Sequence, residues 1–441
     1  MAFDIPINSS SYPQDQIDRE AAGTSNETLF DRVVFSRRKT GAAARLKHCV
    51  ANLSPAFFSL NMGTGIVSIL LYTFPYPARW LRAIGIIVFI FNIFLFLLLG
   101  VGNVIRYIRF NGLFCATLKH PAAALPWGTF PMGFVTIVNM TALVCVDKWG
   151  ERWGTAVVAL WCVDATFAVL INIGVLFMMV TRQIHTIESL SASWLLPIVS
   201  SVVAGASGGV VARAVSPFNP TVARSILIAS YIILGTGLPL ALFITTIYLY
   251  RLIVHGIPAP RALPSLFLLV GPCGQGSFGF VTLGSVTRAL AYDSGVGVLM
   301  PDKGRGTLQI AEAVYAGGSV TGLILWGLAL YWYLLATVLM VDHIWNNDRS
   351  YLRHQSFNIS FTALTFPIGV WASATNAIAV ELNSEAFRII GAVVSIQVMI
   401  NWLYVMVLAV YKMIDGSIFE GPEMKKFRDF QESKARAEGE A

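Results

Sequence analysis

Ten long apolar runs follow one another along this chain, and they alternate between two kinds. They lie near residues 53–73, 81–102, 127–146, 155–180, 194–213, 225–250, 264–287, 309–340, 359–380 and 387–411. An apolar run of about 18 residues or more is long enough to cross a bilayer as a helix. The pattern therefore predicts ten spans. The odd-numbered runs contain proline, namely Pro55, Pro131, Pro197, Pro272 and Pro367, with separations of 76, 66, 75 and 95 residues. Each proline sits among Gly, Ser and Thr: "SPAFFSLNMGTG", "TFPMGFVTIVNMT", "WLLPIVSSVVAGASGG", "LLVGPCGQGSFGF" and "TALTFPIGVWASAT". The even-numbered runs are plainer. One proline-broken helix plus one plain helix thus recurs five times, and such repetition fixes architecture ahead of any motif.

Proline inside a helix removes a backbone hydrogen bond and bends the chain. At membrane depth such breaks are tolerated where protein or a water-filled cavity satisfies the freed groups. Gly, Ser and Thr let helices approach closely. A lipid-facing helix needs neither feature. The odd runs are therefore expected inside and the even runs wrapped around them, in an all-α polytopic membrane protein. The run at 309–340 is longer than a bilayer requires and is expected to tilt or to extend beyond it.

Composition agrees with the pattern. Of the 441 residues, 56% are hydrophobic and 12% charged, against roughly 25% charged in soluble domains. Residues 1–45, including "SSSYPQDQIDREAAGTSNET", lack an apolar signal core and read as a disordered tail. Residues 46–412 read as the membrane domain and 413–441 as a second solvated tail. With both tails and every second connection placed on one side, that side holds 21 of the 31 Lys and Arg residues. The richer side is expected to be cytoplasmic, with both termini inside. The net charge of +7 follows from this bias. No dense basic patch with interleaved aromatics points to nucleic acid.

The central parts of the odd runs contain no Asp, Glu, Lys or Arg. A conduit lined by hydroxyls, amides and backbone dipoles does not repel anions, whereas cation routes usually show carboxylates. The pathway is therefore expected to use Asn61, Thr64, Ser68, Thr136, Asn139, Ser200, Ser201, Gln275, Ser277, Thr365 and Asn376, each of which can equally bond a neighbouring helix. Gly63, Gly65, Gly133, Gly205, Gly209 and Gly276 are expected to keep the bore open. Asp164, mid-span on the fourth run, reads either as a group hydrogen-bonded between helices or as a proton-coupling carboxyl. All six histidines, His48, His120, His185, His255, His343 and His354, fall on the side assigned to the cytoplasm. They are either ordinary juxtamembrane residues or proton-exchanging groups at the inner mouth.

Catalytic and cofactor chemistry find no footing. The five cysteines are scattered without a C-x-x-C pair, and no metal set is apparent. Gly274–Gly279 matches G-x-G-x-x-G but lies inside an apolar run, without the strand that a dinucleotide site requires. No paired His or Asp motif lies within a span, so an enzyme is not expected.

Three stretches carry a resemblance: "NLSPAFFSLNMGTGIVSILLYTFPYPARWLR", "TFPMGF" and "TALTFPIGVWASAT". Over about residues 46–412 the chain resembles the tellurite-resistance, dicarboxylate-transporter and slow-anion-channel superfamily, and within it the fungal sulfite efflux pumps. The resemblance implies ten helices as five helical hairpins around a pseudo-fivefold central pore. It implies proline-kinked odd helices lining that pore, with a phenylalanine plug on the ninth, and usually a homotrimer. Carried onto this sequence, the plug is Phe366, beside Pro367, which also biases Phe366 away from ordinary α geometry. Phe130, before Pro131, is its counterpart in the second repeat. The implied activity is export of sulfite or bisulfite across the plasma membrane. Malate-like dicarboxylates, nitrate and chloride are the alternative substrates. A dicarboxylate site would call for Arg or Lys within the inner runs, and none stands in their central parts.

Overall fold

The computed structural model describes residues 48–299, 305–346, 357–416 and 418–419. The expected amino-terminal tail, and the carboxy-terminal tail beyond 419, lie outside the described residues. The described residues from Val50 onward form one compact unit. Among the described residues there is no strand. Ten helical spans are long and apolar enough to cross a membrane: α1 (Pro55–Tyr72), α2 (Arg79–Arg109), α3 (Leu125–Trp149), α4 (Glu151–Arg182), α5 (Ala192–Val215), α6 (Pro220–His255), α7 (Ala262–Ser294), α8 (Gly306–Trp345), α9 (Ile359–Glu381) and α10 (Glu385–Ile414). The helix of α10 continues to Asp415, so the expected tail boundary at 413 falls inside its last turn.

Burial separates the two kinds of span. In the odd-numbered spans 72–89% of the apolar window is buried inside the protein, against 22–39% in the even-numbered spans. The most apolar helices are thus the outer ones, as a bilayer solvent demands. Each odd span packs against the even span that follows it. The odd spans also pack on one another in cyclic order: α1 on α3, α3 on α5, α5 on α7, α7 on α9, and α9 back on α1.

Every odd span opens with a 3-10 segment, respectively Pro55–Phe57, Leu125–Gly128, Ala192–Trp194, Pro260–Leu269 and Ile359–Leu364. The prolines mark this segment or the first turn of the α-helix after it. Pro55 begins its 3-10 turn, and the other four are the second or third residue of their α-helices. First-turn N–H groups have no partner within the helix, so proline costs no hydrogen bond there. The expected loss of a backbone hydrogen bond at each proline is corrected accordingly: the prolines lie in the first half of each odd span, where the 3-10 segment passes into the α-helix. The even spans are not all plain either, because Pro239 stands inside the helix of α6.

The glycines have a different role from the one expected. A methyl group on Gly63, Gly65, Gly133, Gly205, Gly209 or Gly276 would meet an atom of a neighbouring helix within 2.9 Å. None of the six borders the central cavity described below. They bring helices together rather than widening a bore. Close backbone approaches occur at Gly128, 2.1 Å from the Leu196 carbonyl oxygen, and at Gly274, 2.9 Å from the Trp371 backbone, both measured from the position a Cβ would take.

Candidate functional site: the central cavity

A cavity of about 720 Å³ opens among the five odd spans, and each contributes to its wall. Its lining comes mostly from the second half of each odd span. Apolar side chains such as Ile66, Val135, Val203 and Val370 form most of the wall. Phe366 is the lining residue nearest the start of α9, and it is only 3% exposed. Four charged residues, Arg82, Asp147, Arg213 and Glu381, border the cavity near the ends of their helices. In α3 the helix loosens to π form over Ala142–Val146 just before Asp147, and such bulges recur at functional sites.

The structure sorts the expected pathway residues into two groups. Thr136, Asn139, Gln275 and Asn376 border the cavity with Phe366. Asn61, Thr64, Ser68, Ser200, Ser201, Ser277 and Thr365 do not. Most of that second group is held by hydrogen bonds within or between helices. Asn61 Nδ2 donates to Asn92 Oδ1 of α2 at 2.7 Å. Ser277 Oγ donates to the Gly322 carbonyl of α8 at 2.7 Å. Ser68, Ser200 and Thr365 donate to carbonyls three residues back in their own spans, Gly65, Pro197 and Thr362.

Outer helices supply many of the partners. Asn92 Nδ2 of α2 donates to Thr136 Oγ1 at 3.1 Å, and Asn172 Nδ2 of α4 donates to Ser201 Oγ at 3.1 Å. Trp326 Nε1 of α8 reaches Thr375 Oγ1 at 2.9 Å, and Trp402 Nε1 of α10 reaches Thr64 Oγ1 at 3.1 Å. Several hydroxyls on the inner helices thus help to hold the outer ones. A sequence shows the hydroxyl but not which way it faces.

Three amides stand apart at the cavity. Asn139 Oδ1 accepts from Ser207 Oγ of α5. Asn376 is turned toward Gly391 of α10, and both its polar atoms lack a hydrogen-bond partner. Gln275 is 4% exposed, borders the cavity, and its amide is neither bonded nor sealed off. It is the best-placed neutral donor in the wall.

The aromatic positions also divide. Phe366 borders the cavity, as does Phe278. Phe130 does not: its ring lies 5.6 Å from Phe96 of α2 and 5.6 Å from Phe167 of α4, in a cluster directed at outer helices. Phe366 begins the α-helix of α9, and Thr365 before it, with φ −105° and ψ −77°, is the N-cap. The expected departure of Phe366 from α geometry is thus not seen.

The remaining polar candidates have specific settings. Asp164 is 1% exposed on α4, and neither carboxyl oxygen has a hydrogen-bond partner, so the expected interhelical bond is not formed. His120 Nδ1 accepts from the Ala122 and Ala123 backbone N–H groups. His185 bonds Gln183 at 2.8 Å, and burial pushes its imidazole below the usual histidine value. Both are thereby tied into local turns. His354 lies outside the described residues. The four charged residues at the cavity mouth were not among the sequence candidates. Arg213 ends the fifth apolar run, and a reading confined to the centres of spans passes over it.

A cyclic set of buried spans, free of charge at their centres and enclosing a cavity with charges only at its mouth, defines a multi-pass membrane transport protein. Residues 52–410 match the voltage-dependent anion channel family, SLAC1, and the chain belongs to that family. It is similar to the sulfite efflux pump SSU1 of Arthroderma otae, with 38% identity over 372 residues, 84% of this chain and 93% of the relative. It is equally similar to the sulfite efflux pump SSU1 of Trichophyton rubrum, with 38% identity over 371 residues and the same coverage, 84% and 93%. A more distant likeness is to the malic acid transport protein of Schizosaccharomyces pombe, 25% identical over 367 residues, 83% of this chain and 78% of the relative. The chain is an anion transporter or channel, not an enzyme.

Proposed function

We propose that this protein exports sulfite or bisulfite from the cytoplasm across the plasma membrane, through a pore on a pseudo-fivefold axis among the odd spans. Phe366 is the gate, and both termini are cytoplasmic. The observation that carries the reading is the cavity walled by all five odd spans and reaching Phe366. The similarity to sulfite efflux pumps over 84% of the chain supports sulfite as the substrate. An inside-negative potential favours exit of an anion by about 2.3 kcal/mol per charge per 100 mV, which suffices without a coupled ion. Gln275 offers amide donors along the way, replacing part of the anion's hydration. Phe130 serves as a packing ring beside the pathway rather than in it. The exposed faces of the even spans, such as Ile87, Ile90 and Phe94 of α2, meet lipid or other copies in a homotrimer.

Purified protein in liposomes, with sulfite as the permeant anion, tests this directly. Sulfite currents reversing at the sulfite equilibrium potential are expected. The likeness to a malic acid transport protein sustains a second reading, in which a malate-like dicarboxylate or another small anion is carried. Malate flux with no sulfite flux would select that reading. Gln275→Leu is expected to lower sulfite flux about tenfold while leaving thermal stability near wild type, since a donor to a charged ligand is lost but no internal bond. Unchanged flux would remove Gln275 from the pathway.

A further inference from the structure

We propose that Arg213 is the oxyanion-binding residue at the mouth of the cavity, and that Glu381 is a built-in competitor that limits how tightly it holds. This rests on the reading of the cavity as the anion pathway. Arg82 and Arg213 are the cations among the residues bordering the cavity. The Arg82 guanidinium lies over the Tyr72 ring, 5.8 Å from its centre. Arg213 is set differently. From the last turn of α5, its Nη2 donates to Ser285 Oγ of α7 at 3.0 Å. Ser285 Oγ in turn donates to Glu381 Oε1 of α9 at 2.5 Å. Three consecutive members of the cyclic set are thereby linked by one serine hydroxyl.

The direct contact of Arg213 with Glu381 is long, 3.9 Å, and the Arg213 side chain is 57% exposed. With the arginine in contact with solvent, a pair at that distance is weakly held even though the Glu381 side chain is 18% exposed. A guanidinium carries five N–H donors in a planar fork, and one of its nitrogens is engaged here by Ser285. The opposite edge remains for an anion that presents two oxygens, the bidentate geometry for which arginine is suited. The side chain is therefore positioned by Ser285 but not neutralised. An anion that has crossed the charge-free pathway meets a cation here. Glu381 and Asp147, also at the mouth, repel it in turn. Conduction needs a site strong enough to enter and weak enough to leave, and a cation shared with a carboxylate is such a site. The chemical class of ligand is a small oxyanion with two oxygens on one face, such as sulfite or a carboxylate.

The test compares half-saturating sulfite concentration for flux in full-length wild type, R213Q and E381Q, with sulfite applied from each membrane face in turn. R213Q is expected to raise the half-saturating concentration about tenfold from the face bearing Arg213 and to leave the other face nearly unchanged, the size of a lost charge-assisted contact. E381Q is expected to lower it, because the competitor is gone. An unchanged value in R213Q, or a shift in the same direction in both variants, would overturn the proposal. Opposite shifts cannot come from general misfolding. A wild type that carries chloride or malate but not sulfite retires the sulfite substrate alone, and the same comparison then decides the Arg213 site with that anion. A wild type that carries no anion ends both proposals.

Discussion

Phe366→Ala is expected to raise anion conductance by an order of magnitude or more, measured as current per protein in planar bilayers or patched proteoliposomes. The ring is 3% exposed, packed among buried apolar side chains, and borders the cavity near the start of α9. Apolar constrictions block ions by excluding water rather than by charge. Removing the ring adds volume where the inner spans are already free of charge. Thr365 anchors the turn beneath it, donating to the Thr362 carbonyl at 2.6 Å and accepting at its own carbonyl from Gly369 N at 2.8 Å. The backbone is thus held independently of the ring. A buried Phe→Ala change typically costs about 3–5 kcal/mol in a protein core. A ring that is only a core residue would therefore lower the thermal midpoint and leave conductance alone. A gate would raise conductance whatever the midpoint does. Phe366→Leu, which keeps an apolar side chain of smaller reach, is expected to fall between wild type and the alanine variant. Conductance unchanged in both, at normal membrane expression, removes Phe366 from the gate.

The sequence made the layering legible because the bilayer imposes it on composition. The even runs, α2 for example, are the most apolar, and they are the exposed ones. The odd runs mix Gly, Ser and Thr, and they are the buried ones. The site was less legible, for three physical reasons. First, a hydroxyl on an inner helix has more than one neighbour. Thr64 and Thr136 look alike in sequence, yet only Thr136 borders the cavity, while Thr64 receives the Trp402 indole. Second, repeat position does not fix direction. Phe130 and Phe366 both precede a proline, but Phe130 joins rings on outer helices and Phe366 borders the cavity. Third, the mouth is built from the ends of helices. Arg213 and Glu381 lie in the last turns of their spans, where a charge is unremarkable in a linear reading and becomes informative only when α5, α7 and α9 are seen side by side.

Gly274→Val is expected to abolish recovery of folded protein, and Gly274→Ala to lower the thermal midpoint sharply, because α7 and α9 meet there backbone to backbone. A Cβ on Gly274 would lie 2.9 Å from both the backbone nitrogen and the Cα of Trp371. Neither atom can rotate away as a side-chain tip would, so one helix must move. Trp371 has little freedom to follow, with its ring centre 5.1 Å from that of Tyr333 and 5.6 Å from that of Trp326, both on α8. Overpacking of this kind costs about 1–3 kcal/mol and occasionally more. Position 274 also adjoins Gln275, so any displacement of α7 moves that cavity-facing amide. Gly174 on α4 and Gly327 on α8 provide the control, since a Cβ there meets nothing within 4 Å. Alanine at either position is expected to leave the midpoint unchanged or slightly higher, because helical glycine is itself unfavourable by roughly 1 kcal/mol. Equal midpoints for the alanine variants at 274 and 327, by thermal unfolding in detergent, would mean that the seam between α7 and α9 is loose enough to admit a methyl group. The cyclic packing of the inner spans would then be softer than their burial requires, and Phe366 would no longer be held by a rigid neighbour.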